Sequence, residues 1–349
     1  MGCQLAIFNK FNSKNMKNYF ATVLTGLEEV LLEEINTKLS ATQINKIDKG
    51  KVFFSSNLSK DYLKTLKSAD NLYQVITHFK VSKQRFSLQS LQKHVYDLYL
   101  KPFLGKGSFY VNVSRTGSHN YTRFEVAKKI MEGIKKRYPH RKIGTFKNHD
   151  IEFRLDIIED DALFSIRLTD ATYRFRQKQR NFNKAALLPT VAHAMVWISD
   201  PQAEDVFLDP CCGSGTILAE RLAYPFTYIG GGDIDSEAIN VAQDNLIDSL
   251  AEVNQWDARK LSFADTSIPK IVTNIPFGRQ ISFGSETNKI NSEILTEIYR
   301  ILSYGGTAVI LSEGWDNILS LANNLGFSLQ KKYSLSLKGL HPTIYIFKK

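Results

Sequence analysis

The sequence predicts an α/β protein. Its carboxyl-terminal part is expected to be a Rossmann-like, doubly wound sheet with a C-terminal antiparallel hairpin, and its amino-terminal half is expected to be α+β. From residue 205 onward, short apolar strands alternate with helical stretches, as in a parallel sheet covered on both faces. Before residue 170, strands of alternating polarity and helices lack that regular order. The 349 residues, 43% of them hydrophobic, are enough for two domains with a core.

Capping signals and alternating polarity define the elements of the amino-terminal half. Thr25 and Thr122 each precede a glutamate by three residues, which is the pattern of a capping box at a helix start. The adjacent segments 150–158 and 162–168 favour a hairpin. The other predicted strands are 19–24, 51–56 and 108–117, and the predicted helices are 27–39, 61–76, 88–100 and 123–138.

Strand and helix segments follow one another in the carboxyl-terminal half. Pro189 lies near the first turn of a helix predicted over 185–199, where proline is tolerated. The last two segments, 327–336 and 343–349, break the alternation and favour an antiparallel hairpin at the sheet edge. The other predicted strands are 205–210, 227–235, 271–276 and 306–313, with one more just before residue 257, and the other predicted helices are 216–223, 236–249 and 292–302.

The charge distribution favours a polyanionic partner. The net charge is +10, and segment 115–149 contains ten Lys and Arg residues against two acidic ones. Four aromatic residues lie within it, as in surfaces that bind phosphates and stack bases; a solvated helix face is the alternative. The aromatic residues are Tyr121, Phe124, Tyr138 and Phe146, and the predicted RNA-contacting residues are Arg115, Arg123, Lys128, Lys129, Lys135, Lys136, Arg137, Arg141, Lys142 and, beyond the segment, Arg279.

Several classes of protein do not fit the sequence. No apolar run is long enough to span a membrane, and the amino terminus does not resemble a secretory signal. Three cysteines are too few for a disulfide framework or a zinc site, so they are expected to be reduced thiols. We therefore expect a cytoplasmic protein without a bound metal.

A glycine turn between the first strand of the carboxyl-terminal half and its helix predicts a cofactor site. Gly213, Ser214 and Gly215 allow a tight turn and a close approach to a ligand, and Thr216 begins the helix. The Gly-Lys-Ser/Thr ending of a phosphate-binding P-loop is missing. Asp209, directly before the turn, suits a cationic group such as the amino end of an amino acid.

Acidic residues at the ends of the next two strands indicate a nucleoside ligand. Asp233 occupies the position at which doubly wound folds bind ribose hydroxyls, and Asp257 could accept a hydrogen bond from an adenine amine. Asp235 is either a further ligand or the cap of the next helix. A nucleoside with an amino-acid tail describes S-adenosylmethionine (SAM). Its predicted binding residues here are Asp209, Pro210, Cys211, Gly213, Ser214, Gly215, Thr216, Asp233, Ile234, Asp257, Ala258 and Asn274.

The segment Asn274–Phe277 follows the fourth strand, on the same edge of the sheet, and predicts the catalytic site. The side-chain oxygen of Asn274 and the carbonyl of Ile275, held by Pro276, could accept both N–H groups of an exocyclic base amine. Phe277 could then stack on a base taken out of its helix. Such a site acts by orientation and electrostatics without a strong base. Alone the segment is more typical of a loop with a structural proline; the glycine turn and the strand-end acids favour catalysis.

Three motifs resemble those of the THUMP-domain SAM-dependent RNA methyltransferases. They are Asp209–Thr216 (DPCCGSGT), Gly232–Asp235 (GDID) and Asn274–Arg279 (NIPFGR). The resemblance covers nearly the whole chain past residue 16. It implies N2-methylation of guanosine, mostly in tRNA, and a THUMP domain that binds the acceptor end of the tRNA. The helix over 185–199 resembles the one that touches the cofactor, which adds Pro189 and Thr190 to the expected SAM contacts.

The resemblance also implies a division of the chain into five segments. Residues 1–16 are expected to be a disordered or non-native leader, with Met16 as a possible true start. Residues 17–80 resemble a ferredoxin-like subdomain and residues 81–170 the THUMP domain. Residues 171–200 form a basic linker and helix, and residues 201–349 form the Rossmann-like methyltransferase domain.

Several alternatives stay open at the level of sequence. A ribosomal RNA guanine-N2 methyltransferase would share every motif. A DNA adenine-N6 methyltransferase shares the catalytic motif but has no THUMP-like half. A catalytically inactive RNA-binding protein is disfavoured because Asp209, Asp233 and Asn274 are intact. The family more often has Pro or Leu at Ile275, and we expect activity to survive this change because only the backbone carbonyl is used there. It more often has Tyr at Phe277, and the change to Phe keeps stacking and loses a hydroxyl. The modified nucleotide, the number of methyl groups, a need for a partner protein and the choice between monomer and weak homodimer are not specified.

Overall fold

The structure, a computed structural model, describes residues 16–176, 187–276, 285–313, 318–337 and 339–349. It contains two sheets, one in each half of the chain. The first half consists of β1 (Lys17–Thr22), α1 (Glu28–Lys38), β2 (Thr42–Asp48), β3 (Lys51–Ser56), α2 (Lys60–Leu63), β4 (Asn71–Lys80), α3 (Ser87–Asp97), β5 (Ser108–Thr116), α4 (Arg123–Arg137), β6 (Lys142–Ile143), β7 (Ile151–Ile158), β8 (Asp161–Arg167) and a 3₁₀ turn (Tyr173–Phe175).

The amino-terminal half is built on one eight-stranded sheet with the order β2-β3-β1-β4-β8-β7-β5-β6. Strand β4 lies at its centre and pairs antiparallel with β1 on one side and with β8 on the other. The segments 17–80 and 81–170 therefore share a continuous sheet. The predicted hairpin is confirmed as β7 and β8. Helices α3 and α4 pack on each other, and their apolar faces cover the β5–β7–β8 region.

The predicted helix over 61–76 is wrong. Helix α2 has only four residues, and Asn71–Lys80 is strand β4. This segment contains Val75, Ile76 and Thr77, whose β-branched side chains favour a strand, and pairing on both sides outweighs the helix-like spacing of its apolar residues. Strand β2 was not predicted, because it is a mostly polar edge strand.

The two predicted capping boxes have different outcomes. The box at Thr122 is confirmed, with reciprocal hydrogen bonds between Thr122 and Glu125 at the start of α4. The box at Thr25 is wrong, because α1 has Leu27 at its N-cap position and no side-chain cap. The carboxylate of Glu28 instead accepts hydrogen bonds from the backbone N–H groups of Gly26 and Gly50, at 2.8 and 2.6 Å.

The carboxyl-terminal half is a seven-stranded sheet with the order β11-β10-β9-β12-β13-β15-β14. The first five strands are parallel to one another, and the predicted terminal hairpin is confirmed by antiparallel pairing of β13 with β15 and of β15 with β14. Its elements are α5 (Pro189–Ile198), β9 (Val206–Asp209), α6 (Thr216–Arg221), β10 (Tyr228–Asp233), α7 (Ser236–Asn245), β11 (Glu252–Gln255), β12 (Ile268–Asn274), α8 (Ser285–Ile301), β13 (Leu302–Ser312), α9 (Ile318–Leu325), β14 (Ser328–Ser334) and β15 (Thr343–Lys348).

The strand order places a binding crevice at the end of β9. The chain winds outward from β9 in both directions, because β10 lies on one side of it and β12 on the other. Ligands of doubly wound sheets bind at the carboxyl ends of the strands at such a switch point. Within the described residues, no helix is both long and apolar enough to cross a bilayer.

The two halves share a hydrophobic core. Helix α1 contacts α5, and one apolar cluster extends from Leu31 and Ile35 of α1 to Val191 and Met195 of α5. A separate cluster under α8 fills the opposite face of the second sheet. Helix α5 therefore lies between the amino-terminal half and the crevice at β9.

Candidate active site

A small pocket opens at the carboxyl end of β9. It brings together six predicted site residues from the glycine turn and the end of β12. It also contains Leu187, Cys212 and Ile217, which were not predicted to bind a ligand. The lining residues are Leu187, Asp209, Cys211, Cys212, Gly213, Ser214, Thr216, Ile217 and Asn274.

The glycine turn has the conformation that its sequence predicts. Gly213 and Gly215 have φ angles of 51° and 79°, in the left-handed region that glycine adopts without strain. A Cβ atom on Gly215 would lie 2.9 Å from the Leu246 side chain, whereas one on Gly213 would meet nothing within 4 Å. Gly215 is thus favoured by its backbone conformation and lies close to the Leu246 side chain, and the turn at Gly213 faces open space.

Asp209 is a buried carboxylate with unused hydrogen-bonding capacity. Its Oδ1 atom accepts a hydrogen bond from the N–H of Cys211 at 3.3 Å, and its Oδ2 atom has no partner among the described residues. Burial, together with the nearby charge of Asp233, raises the pKa of Asp209 to about 7, and the Thr273 side chain and the N–H of Cys211 offset part of this rise. A buried, unpaired acid in a pocket is costly and is stabilised by a cation. The site therefore fits the amino group of a SAM tail.

Asp233 holds the glycine turn in place. Its Oδ2 atom accepts a hydrogen bond from the N–H of Gly213 at 2.9 Å, and its Oδ1 atom accepts one from the N–H of Asp235 at 3.1 Å. Asp235 in turn caps α7 by accepting from the N–H of Glu237, which confirms the capping alternative. Ile234 is 62% exposed at the same strand end and offers an apolar surface to a ligand.

Asp257 is not one of the residues that line the pocket. Its carboxylate accepts hydrogen bonds from the Arg259 guanidinium at 2.6–3.0 Å, and these bonds lower its pKa. Ala258 is buried in the core. The neighbouring Trp256 donates a hydrogen bond from its ring N–H to the carbonyl of Pro210 at 3.0 Å and so supports the chain after Asp209. Binding of adenine by Asp257 stays a prediction.

Asn274 ends β12 with its side-chain oxygen ready to accept a hydrogen bond. This Oδ1 atom is buried in the pocket region and has no partner within the described chain. The following Ile275 is 1% exposed, and its N–H donates to the carbonyl of Leu311 at 3.2 Å. The strand end is therefore fixed, while the amide oxygen that would receive an N–H donor is free. Phe277 and Arg279 lie outside the described residues.

Pro276 is held by a residue that the sequence did not reveal. The side-chain Nδ2 of Asn291 on α8 donates a hydrogen bond to the Pro276 carbonyl at 3.0 Å. Asn291 is 1% exposed, which is unusual for an amide side chain in a helix. It fixes the backbone within the predicted catalytic segment. Because it lies 15 positions away in sequence, the motif alone does not indicate it.

Helix α5 meets the amino-terminal half through the two residues that resemblance assigns to the cofactor. Thr190 is 2% exposed, and its hydroxyl donates to Asp70 at 2.8 Å. The Pro189 carbonyl accepts a hydrogen bond from Arg176 at 3.3 Å. Leu187, just before the helix, lines the pocket instead. Binding of SAM by Pro189 and Thr190 stays a prediction.

The two vicinal cysteines form a neutral part of the pocket wall. Both are free thiols, and burial raises their pKa values well above the ordinary range. Cys212 is buried and Cys211 is half-buried. They supply packing surface, as expected.

The predicted basic surface is divided between exposed and structurally engaged side chains. Lys135 and Arg141 donate hydrogen bonds to backbone carbonyls, Lys129 pairs with Glu132, and Arg115 donates to the carbonyl of Gly117. The exposed members are Arg123, Lys128, Lys136, Arg137 and Lys142. A phosphate backbone can reach these five directly.

The prediction that four aromatic residues are available for stacking is partly wrong. Tyr121 is 3% exposed and donates its hydroxyl to the carbonyl of Ser82, and the half-buried Tyr138 hydroxyl accepts from the N–H of Leu100. Each ring packs in the core beneath the helices because its hydroxyl finds a backbone partner there. Phe124 and Phe146 remain about two-thirds exposed, with the Arg123 guanidinium over the Phe124 ring at 4.8 Å and Tyr110 in edge contact with Phe146.

Two family models match the chain in accord with this fold and site. Residues 86–167 match the THUMP domain, and residues 176–343 match the RMKL-like, methyltransferase domain. The chain thus combines a THUMP domain with an RNA methyltransferase domain, and SAM is its cofactor.

Named relatives match the chain over nearly its full length. It is 26% identical to the tRNA (guanine(6)-N2)-methyltransferase of Thermus thermophilus, covering 94% of this chain and 98% of the relative. It is 23% identical to the enzyme of the same name from Methanocaldococcus jannaschii, covering 94% and 99%. The crystal structure of TrmN from Thermus thermophilus superposes with a TM-score of 0.81 at 24% identity, covering 96% and 99%. The fold is thus shared across both halves.

Proposed function

We propose that this protein methylates the exocyclic N2 atom of guanosine 6 in the acceptor stem of tRNA. The observation that carries the proposal is the pocket in which the unpartnered Asn274 oxygen and the buried Asp209 carboxylate lie at one edge of the sheet. The relatives named for this reaction cover almost the entire chain and support the choice of substrate.

The residues of the site divide the work between holding the cofactor and orienting the base. Bound SAM supplies an electrophilic methyl group. Asp209 would pair with the cationic amino group of the cofactor, and Asp233 fixes the turn at Gly213 that would hold the nucleoside. Asn274 and the Ile275 carbonyl accept the N–H groups of the guanine amine and direct its nitrogen toward the methyl donor. Because the amine becomes cationic before it loses its proton, orientation and electrostatics dominate the catalysis.

The test is a methyl-transfer assay with defined RNA. Purified protein is incubated with SAM and an unmodified tRNA transcript carrying guanosine at position 6, and the digested nucleosides are identified by mass spectrometry. We expect N2-methylguanosine, and we expect it to disappear when position 6 is adenosine. Product from ribosomal RNA alone would contradict the tRNA proposal, and a lack of both SAM binding and product would favour an inactive RNA-binding protein.

The exposed charges on α4 are expected to bind the tRNA backbone. The change Lys128→Glu with Lys136→Glu should weaken tRNA binding by at least about tenfold and lower the slope of log Kd against log salt by about one for each lost phosphate contact. Filter binding between low and physiological salt measures both quantities. Lys17→Glu with Lys60→Glu, at exposed positions elsewhere in the amino-terminal half, is the matched control. Equal losses in the two double variants would indicate a nonspecific charge effect.

A cytoplasmic location and the five-segment division of the chain remain predictions of the sequence. Localisation of a tagged protein tests the first, and limited proteolysis with mass analysis tests the second.

A further inference from the structure

Four buried or half-buried charged and polar side chains join the two halves of the chain. They are Glu34 on α1, Arg176 after the 3₁₀ turn, His193 on α5 and Glu220 on α6, here called the interdomain cluster. Glu34 and His193 have no exposed side-chain surface, and Glu220 is 2% exposed. The cluster lies outside the described wall of the cofactor pocket, so binding SAM does not explain it.

Glu34 connects the amino-terminal half to α5. Its carboxylate accepts hydrogen bonds from the N–H groups of Lys67 and Ser68, both at 2.8 Å, and lies 3.2 Å from His193 Nε2. Burial alone would raise the pKa of Glu34, but His193 and Lys38 more than offset it and hold the pKa well below its ordinary value. The loop before β4 is thereby fixed to a charged group that α5 also contacts.

Glu220 and Arg176 continue the connection to α6. His193 Nδ1 lies 3.5 Å from the Glu220 carboxylate, and the Arg176 guanidinium donates to that carboxylate at 3.1–3.2 Å. Arg176 also donates to the carbonyls of Lys67 and Pro189, at 2.7 and 3.3 Å. Its φ angle of 62° is unfavourable for a side chain with a Cβ atom. One guanidinium therefore connects the loop before β4, the start of α5 and the carboxyl-terminal end of α6.

The elements that meet in the cluster border both functional surfaces. Helix α6 begins at Thr216 in the glycine turn, four residues before Glu220, and α5 begins two residues after the pocket residue Leu187. On the other side, the loop at Lys67 leads into β4, which pairs with β8 of the matched THUMP domain. The cluster therefore connects the RNA-binding sheet with the two helices that border the cofactor pocket.

A polar connection specifies geometry more tightly than an apolar one. The core shared by α1 and α5 holds the two helices together through dispersion and hydrophobic contacts, which are non-directional. Buried charge pairs require good geometry, since a misplaced partner leaves a charge uncompensated. The interdomain cluster thus favours one placement of the two halves relative to each other.

We propose that Arg176 and His193 are positioning residues that hold the RNA-binding half in register with the methyl-transfer site. The proposal rests on the proposed function. When the cluster is intact, a tRNA bound at the basic surface has one guanosine placed next to Asn274. With the cluster broken, both halves still bind their ligands, but the guanosine reaches the site less often and neighbouring nucleotides reach it more often.

The experiment compares Arg176→Gln and His193→Gln with Arg221→Gln. Arg221 follows Glu220 on α6 and forms a buried ion pair with Asp205 inside the carboxyl-terminal half, so it is a matched control for loss of a buried charge. For each protein we would measure the Kd for S-adenosylhomocysteine, the Kd for tRNA, kcat, thermal stability and the positions of N2-methylguanosine.

We expect Arg176→Gln and His193→Gln to keep both dissociation constants, to lower kcat by about 10- to 100-fold and to methylate guanosines next to the normal position. Arg176→Lys keeps the positive charge but loses the planar guanidinium with its several N–H donors. It should therefore have a higher kcat than Arg176→Gln and a lower kcat than the unaltered protein. Arg221→Gln should lower thermal stability and keep kcat and position.

Loss of thermal stability alone in the two cluster variants, with kcat and position unchanged, would overturn the proposal. If Arg176→Gln does not fold, His193→Gln and Arg176→Lys carry the same test. Failure of the proposed function is a separate result, because the unaltered protein would then yield no N2-methylguanosine from any tRNA.

Discussion

Replacing Asn274 with alanine is expected to lower kcat by about 10²- to 10³-fold while SAM binding stays nearly unchanged, as when one preorganised polar group is removed from other active sites. The Asn274 side-chain oxygen is already desolvated and without a partner in the described structure. Its hydrogen bond to the guanine amine therefore requires no loss of an existing protein contact. The variant leaves the backbone of Ile275 and its bond to Leu311 in place.

Single-turnover kinetics and titration calorimetry with S-adenosylhomocysteine separate the two effects. Asn240→Ala, at an exposed position on α7, is the matched control and should behave like the unaltered protein. Asn274→Asp keeps an acceptor oxygen and should retain more activity than alanine. A fully active Asn274→Ala variant would refute the assignment of Asn274 to catalysis.

Much of the carboxyl-terminal half could be predicted from local sequence. Its buried parallel strands are short apolar runs, and the turn at Gly213 and Gly215 requires φ angles that only glycine adopts easily. Where a strand, turn or helix depends on residues that are neighbours in sequence, the local sequence pattern is sufficient to predict it. The sequence also predicted the pocket at Asp209 and Asn274, because parallel strands end at the same edge of the sheet.

The amino-terminal sheet was less predictable because its strands depend on distant partners. The local pattern of β4 predicts a helix. The segment forms a strand because it pairs with β1 and β8, and its paired residues lie up to about ninety positions away in sequence. Two residues that the sequence did not indicate, Asn291 at the site and His193 in the interdomain cluster, also depend on distant contacts. Asn291 contacts Pro276 from another helix, and His193 gains its meaning only when α1 and α6 approach it. No local spacing reveals such contacts.

Replacing Asp209 with asparagine is expected to weaken cofactor binding by about 10- to 100-fold, the range for hydrogen bonds to charged groups. Asp209 is the fully buried carboxylate of the pocket, with its Oδ2 atom unpartnered in the described structure. In the unaltered protein the affinity should also depend on pH. The carboxylate must be ionised to pair with an amino group, and its pKa without the cofactor is raised to about 7.

The pH dependence has a defined direction. Below about pH 7 the affinity should fall by up to about tenfold for each pH unit, and above it the affinity should level off. Calorimetric titration with S-adenosylhomocysteine between about pH 5.5 and 8.5 measures this, since the compound has the same amino-acid tail and does not react. Asp209→Asn should remove the dependence, and Asp244→Asn, exposed on α7, should keep it. The same slope in Asp209→Asn would assign the dependence to another group.

The stability of the unliganded protein is an independent test, because it should depend on pH in the direction opposite to that of cofactor affinity. Because burial raises the pKa of Asp209 in the folded state above its ordinary value of 3.8, the favourable contribution of the protonated acid is present below about pH 4 and is lost as the pH rises through about 7. At pH 8 the ionised, unpaired carboxylate should cost up to about 4 kcal/mol, so Asp209→Asn should raise the free energy of unfolding while it weakens binding. A structural aspartate would give the reverse, because its replacement would lower stability. Chemical denaturation with and without S-adenosylhomocysteine therefore distinguishes a carboxylate retained to bind a cation from one retained to hold the fold.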